Sequence, residues 1–317
     1  MEFHKLLRKE VGMLSKTMFR FVVSVLGVVF VLSLCIGLSG AIAEEDGDPC
    51  DGQGPDCIYG CPDDAEFTSE FRLEDCKFKT TGANPYFILK PGYRLVLEND
   101  EEKSVETVLC ETKTIALENG RRIKTRVLEE RAWEEGKLVE ISLNWFAICK
   151  KTNAVYYFGE HSRDCPAGFD ENDVCTGTGG CDGNGECLEG SWEAGVDGAM
   201  PGLMMPGTAL RGSRYFQEIA EEQEAVDRGE IVDLGLDVDV PAGEWEGCIE
   251  IHDTNPTEAN PDNQEEDGCY GPNDVKLYCP RVGLVQDQEL ELVWRGFAGC
   301  NDGDDNHDDD DHRKWWK

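Results

Sequence analysis

Between residues 93 and 160 apolar and polar side chains alternate in short runs broken by turn signals, a pattern of antiparallel strands. Tyr93-Arg94-Leu95-Val96-Leu97-Glu98 reads as a strand entered from the Pro91-Gly92 turn. Val105, Thr107 and Leu109 then alternate with Glu106, Val108 and Cys110. Asn119-Gly120 predicts a two-residue hairpin turn, because its positive φ angles suit Asn and Gly. The return run, Ile123 to Trp133, sets Ile123, Thr125 and Val127 on one side. After a turn at Glu135-Gly136, Val139, Ile141, Leu143, Trp145 and Ala147 share one face of a strand from Lys137 to Lys150. Lys151-Thr152-Asn153 turns into Ala154 to Glu160.

The second half continues in this manner. Strands are expected at Glu189 to Ala194, Ser213 to Ala220, Ala225 to Leu234, Trp245 to His252, Val275 to Tyr278 and Glu289 to Arg295. Only Phe216 to Arg228, where Glu, Gln and Ala cluster, reads as a short helix. The predicted fold is mostly β: an antiparallel meander forming a strongly curved sheet or partly closed barrel, with disulfide-tied loops. Closure of that kind removes exposed strand edges.

The N-terminus argues for export. Lys5, Arg8, Lys9, Lys16 and Arg20 precede an uncharged run from Phe21 to Ile42, then Ala41-Ile42-Ala43 and the acidic start Glu44-Glu45-Asp46. These are the parts of a signal peptide, residues 1–43, cut after Ala43. The run also reaches the length of a membrane span, so an uncleaved N-terminal anchor is the alternative. A lipoprotein does not fit, since Leu34 precedes Cys35 where a small residue is required. Of fifteen cysteines, all but Cys35 lie beyond this segment, leaving an even set suited to disulfides in an oxidising compartment. Zinc is the weaker reading: no C-x2-C pair is present, and Cys57-x3-Cys61 has no His pair downstream.

Residues 44–80 read as a Cys-rich irregular segment, and 81–298 as the β domain. That domain carries a Cys-rich insertion at 161–188 and a polar, acidic one at 255–272. Residues 299–317 read as an acidic disordered tail. The formal net charge of −35 repels phosphate backbones, which excludes nucleic-acid partners, and favours cations including Ca2+.

Several motifs carry a resemblance. Asn84-Pro85-Tyr86-Phe87 with Pro91-Gly92-Tyr93, Asn144-Trp145-Phe146-Ala147 and Val155-Tyr156-Tyr157-Phe158-Gly159-Glu160 are the first of them. Glu189-Gly190-Ser191-Trp192-Glu193-Ala194-Gly195, Pro201-Gly202-Leu203-Met204-Met205-Pro206-Gly207, Val240-Pro241-Ala242-Gly243 and Val282-Gly283-Leu284-Val285 follow. Together they resemble a group of uncharacterised bacterial secreted proteins. The last two pieces are also similar to periplasmic proteins with a lipoprotein-carrier-like curved sheet. The first group implies no activity, and the chain departs from it at Cys279-Pro280-Arg281 and in its Cys-rich insertions.

Two constellations stand out as candidate sites. Met200, Leu203, Met204 and Met205 cluster where two Pro-Gly pairs force turns, an apolar tip that either lines a groove for an apolar ligand or fills an uneven core. Asp182, Asn184 and Glu186, with Asp302 and Asp304, alternate oxygen side chains in the manner of incomplete Ca2+ loops. His307 and His312 flank an Asp run in the tail. No Ser or Cys nucleophile has a His beside it in a catalytic pattern, so no catalytic residue is assigned. Glu129, Glu130, Glu134 and Glu135 read as exposed strand and turn charges.

The leading functional expectation is an exported, non-enzymatic binding or interaction protein with an extracellular or cell-surface partner and an association with Ca2+. A membrane enters only if the N-terminal segment stays uncleaved. The alternatives are a carrier of an apolar ligand within the curved sheet and a carboxylate-dependent hydrolase.

Overall fold

The structure is a computed structural model that describes residues 67–177, 187–188, 190–255 and 274–299. The signal segment, the tail, most of the 255–272 insertion and the 182–186 candidate loop lie outside those residues.

The strands in chain order are β1 (Phe78–Lys79), β2 (Gly82–Asn84), β3 (Phe87–Leu89), β4 (Tyr93–Glu98), β5 (Glu102–Ala116), β6 (Arg122–Glu134), β7 (Lys137–Cys149) and β8 (Val155–Asp164). They continue with β9 (Trp192–Glu193), β10 (Gly202–Met205), β11 (Arg214–Phe216), β12 (Arg228–Val240), β13 (Gly243–Thr254), β14 (Asp274–Cys279), β15 (Gly283–Asp287) and β16 (Leu290–Phe297). One sheet takes nearly all of them, in the order β10-β8-β7-β6-β5-β4-β16-β15-β14-β13-β12-β11. It is two antiparallel meanders, β4 to β8 and β11 to β16. They are joined where β16 pairs with β4, Leu292 opposite Leu97 and Phe297 opposite Tyr93. β1 adds to β7 and β9 to β8.

The two ends of this path also touch. Met200 N–H donates to the Ile219 carbonyl at 2.8 Å, just before β10 and just after β11. Gly202 lies so close to the following backbone that a Cβ there would sit 1.9 Å from the Gln217 carbonyl oxygen. Only a residue without a side chain fits that approach.

The hairpin β2–β3 stands apart from the large sheet and bridges its two halves. Asn84 Nδ2 donates to the carbonyls of Asn153 (3.0 Å) and Pro206 (2.8 Å). The Tyr86 hydroxyl donates to Gly247 (3.2 Å), and Arg281 N–H to Pro85 (2.7 Å). Phe87 packs on Phe146 with ring centroids 5.1 Å apart, and Leu89 is wholly buried.

β7 is buried on both faces from Ile141 to Cys149. Ser142, Asn144 and Phe146 point one way. Ile141, Leu143 and Trp145 point the other and are covered by added segments. The Lys113 ammonium caps the Trp145 ring at 3.3 Å and pairs with Glu193 of β9 at 2.7 Å. Phe78 of β1 packs edge-on against Tyr156 and Phe158 of β8. The apolar face of β7 legible in the sequence is therefore packed against flanking segments, and the polar side faces a cavity.

Among the described residues Cys76–Cys149, Cys165–Cys175 and Cys248–Cys279 form disulfides, and Cys110 and Cys187 are disulfide-bonded as well. Several disulfides in one chain point to an oxidising, extracytoplasmic compartment. Among the same residues no helix is long and apolar enough to cross a membrane.

Several local expectations need correction. The helix expected between Phe216 and Arg228 is a single 3-10 turn, Glu221–Gln223. Its flanks are held instead by the Ala220–Ala225 bridge and by Asp227 accepting from Gln217 and Glu218 N–H. The strand expected over 189–194 shrinks to Trp192–Glu193. Val282 to Val285, read only as a motif, opens β15. Positive φ at both turn positions falls on Glu135 and Gly136, whereas at Asn119-Gly120 only Gly120 has it. Asn119 turns the chain through its side chain, Oδ1 accepting from Arg121 N–H.

Candidate ligand cavity

The inward side of β5 to β8 is polar, and its register explains how. Glu106 lies opposite Glu130, Glu130 opposite Ser142, and Ser142 opposite Ser162. The next row runs Val108, Leu128, Asn144, Glu160. Alternation along each strand places both rows on one face. Glu106, Glu130, Val108, Leu128, Asn144 and Glu160 from these rows form part of the wall of a cavity of about 240 Å³. Lys276 and Tyr278 of β14, Leu284 and Asp287 of β15, Tyr93 and Leu95 of β4, and Phe87 of β3 line more of it. Gln217, Glu218 and Asp227 complete the lining from the segment between β11 and β12.

Six carboxyl groups and one ammonium line this space. Lys276 Nζ lies 3.1 Å from Asp253 Oδ2 and 3.9 Å from Asp287 Oδ2, so its charge is already answered. Burial opposes that ammonium, but Asp287 and Asp253 outweigh it and hold its pKa well above the ordinary value. Glu130 accepts from the Ser104 hydroxyl at 3.0 Å. The Tyr157 hydroxyl donates to Asn144 Oδ1 and lies 3.0 Å from Glu160 Oε2. Glu218 is only 7% exposed, and its Oε1 accepts from Trp192 Nε1 at 3.2 Å. Glu106 has no hydrogen bond or ion pair within reach among the described residues.

Crowding of acids in a buried space favours their neutral forms. Burial, then the neighbouring Glu130 and Asp287, push Glu106 up to about 8. Burial, then Glu140 and Asp287, push Glu130 to about 7. Glu160 rises to about 8 through burial, with Glu140, Asp227 and Glu130 adding to it against the Tyr157 hydrogen bond. Glu218 rises well above the carboxylate range through burial, Asp227 and Glu160. Such a set takes up positive charge readily and releases protons when it does.

The methionine segment is a strand, β10, rather than a loop tip. Met204 lines the cavity, Met205 is wholly buried, Leu203 is half-buried against the core and Met200 is half exposed. Only Met204 of the four therefore reaches the cavity. The Ca2+ candidates Asp182, Asn184, Glu186, Asp302 and Asp304 lie outside the described residues. Among the described residues no three His, Cys, Asp or Glu side chains converge in a metal-holding group. Glu130, expected from the sequence as an exposed strand charge, is instead a cavity residue, while Glu129 pairs with Arg131 at 3.1 Å. The missed signal was the position of Glu106, Glu130 and Glu160 well inside strands, where a solvated charge has a neighbour on each side.

A second, more open depression lies between the β6–β7 turn and the Cys165–Cys175 loop. Of its charged groups, Arg131 grips both Asp173 oxygens at 2.9 and 2.6 Å, and Asp170 Oδ1 accepts from the Asn172 and Val174 N–H groups. The chain has no match among protein-family models, curated proteins or solved structures.

Proposed function

We propose that this is an exported small-molecule-binding protein whose sheet curves round the cavity and holds a polar ligand inside. The single observation that carries the reading is the cavity itself, lined from both meanders by hydrogen-bonding and aromatic side chains. Interiors normally close-pack, and a polar space kept open at the centre of a β domain is the usual form of a ligand site. The contact between the β10 and β11 ends supports the curvature. The space is small, room for on the order of eight water molecules at about 30 Å³ each. Its acids and ammonium suit a polar guest better than the apolar one considered from the methionines.

The test is a thermal-shift and calorimetric panel on the full, oxidised chain. The probes are putrescine, butylamine, glycine, glucose, succinate and benzoate. At least one probe should raise Tm and bind with one-to-one stoichiometry. Met204→Trp, which extends an indole into the space, should weaken that binding at least tenfold with the circular dichroism spectrum unchanged. Absence of any binding, or binding indifferent to Met204→Trp in a folded variant, overturns the reading. Turnover of an ester or glycoside probe would replace it with the hydrolase reading.

A further inference from the structure

Resting on that reading, we propose that the ligand is an organic dication of the α,ω-diamine type, one ammonium at Glu106 and Glu130 and the other at Glu160 and Glu218.

Charge balance is the first argument. Lys276 is held by Asp253 and Asp287, which leaves Glu106, Glu130, Glu160 and Glu218 facing the cavity with no cation at ion-pair distance among the described residues. Removing a carboxylate from water without a counter-charge is costly, and either protonation or a bound cation removes that cost.

Unsatisfied groups point to a guest independently of the charge count. Glu218 is more than nine-tenths buried, yet its second oxygen has no hydrogen-bond partner among the described residues. Glu106 has none at all. An ammonium brings three donors, which suits two carboxyl groups with free lone pairs.

Spacing argues for two charges on one molecule. Glu106 and Glu130 are directly opposite on β5 and β6. Glu160 lies two strands beyond Glu130, on β8, an offset of about 10 Å along the sheet. Asn144 of β7 lies between, in the same row as Glu160, and Val108 and Leu128 continue that row on β5 and β6, with Phe146 beside them. That wall suits the methylenes of a chain whose ends are charged. A divalent metal is the poorer guest, because no three ligating side chains converge among the described residues.

The experiment is calorimetry on the full, oxidised chain with putrescine and cadaverine against butylamine, succinate, glucose and CaCl2. The diamines should bind at least tenfold more tightly than butylamine, and the dianion and sugar not at all. Glu106→Gln with Glu130→Gln, and separately Glu218→Gln, should each bring diamine affinity down to the butylamine level. At pH 7 diamine binding should release protons, seen as a dependence of the measured enthalpy on the buffer's ionisation enthalpy. A merely structural acid would not move that readout. The inference is overturned if a neutral or anionic probe binds more tightly and is lost in Met204→Trp, which keeps the binding-protein reading. CaCl2 competing for the same site overturns it too. If no probe shows binding sensitive to Met204→Trp, both readings fall.

Discussion

At the level of single residues, the acids that line the cavity set how stability depends on pH. Glu106 and Glu160 are held near 8 and Glu130 near 7, all above the ordinary 4.5. A carboxyl whose folded pKa is raised binds its proton more tightly in the folded state. Its contribution is full below the unfolded value and is lost as pH rises through the folded one. The ligand-free protein should therefore lose Tm steadily from about pH 5 to about pH 8.5. Glu106→Gln with Glu130→Gln should flatten that slope and stabilise the protein at about pH 8 by on the order of 2 kcal/mol, measured by urea unfolding. An unchanged slope would mean the carboxyls reach bulk water. The sequence shows these acids but not their burial, because Glu129 and Glu130 are neighbours in the same strand with opposite fates. One faces Arg131, the other the cavity, and only the register of β5 and β6 separates them.

At the level of elements, the contact between the ends of the sheet depends on a single glycine. A Cβ on Gly202 would meet the Gln217 carbonyl at 1.9 Å, so β10 and the segment after β11 must separate to admit it. Gly202→Ala should cost about 1–3 kcal/mol, the range for forcing an extra carbon into a packed site. It should also speed amide exchange at Met200, whose N–H is bonded across the contact. Unaltered exchange at Met200 would show that the ends are held by other contacts. The long strands of this fold were legible. β4 appears with the expected limits, and β6, β7 and β13 fall within two residues of theirs, because alternation persisted over many residues, whereas β8 runs four and β12 six residues beyond the expected end. The short elements were not. β1, β2, β3 and β10 hold two to four residues each, too few to show a period. Their extended shape comes from the neighbour they pair with or the side chains that anchor them.

At the level of the whole molecule, disulfides tie flanking segments to the sheet over very different loops. Cys76–Cys149 spans 73 residues and fastens the chain before β1 to the end of β7. Cys165–Cys175 spans 10 and closes a surface loop. In the chain-entropy picture these restrict the unfolded state by about 4 and about 3 kcal/mol respectively. Replacing Cys76 and Cys149 together by Ser should destabilise the protein by about 1–2 kcal/mol more than replacing Cys165 and Cys175, by denaturant midpoint at fixed slope. The excess should grow further because Phe71 and Phe78 would loosen from Tyr156. Equal losses would show that the segment before β1 is held by packing alone.

The sequence by itself determined the class of this protein. Period-two alternation with Gly, Asn and Pro turns allows little but antiparallel strands, and a chain rich in cysteine without a zinc-type spacing fits an oxidising compartment. Tertiary structure alone decided which side of those strands faces a cavity. A strand with apolar residues on both sides reads the same whichever way it turns. In β7 the choice was made by distant segments, β1 and β9, that cover the Trp145 face and leave Asn144 and Phe146 to the interior. The gathering of Glu106, Glu130, Glu160, Glu218 and Lys276 also follows from pairing between residues up to 204 apart, β16 against β4 above all, which no local pattern encodes.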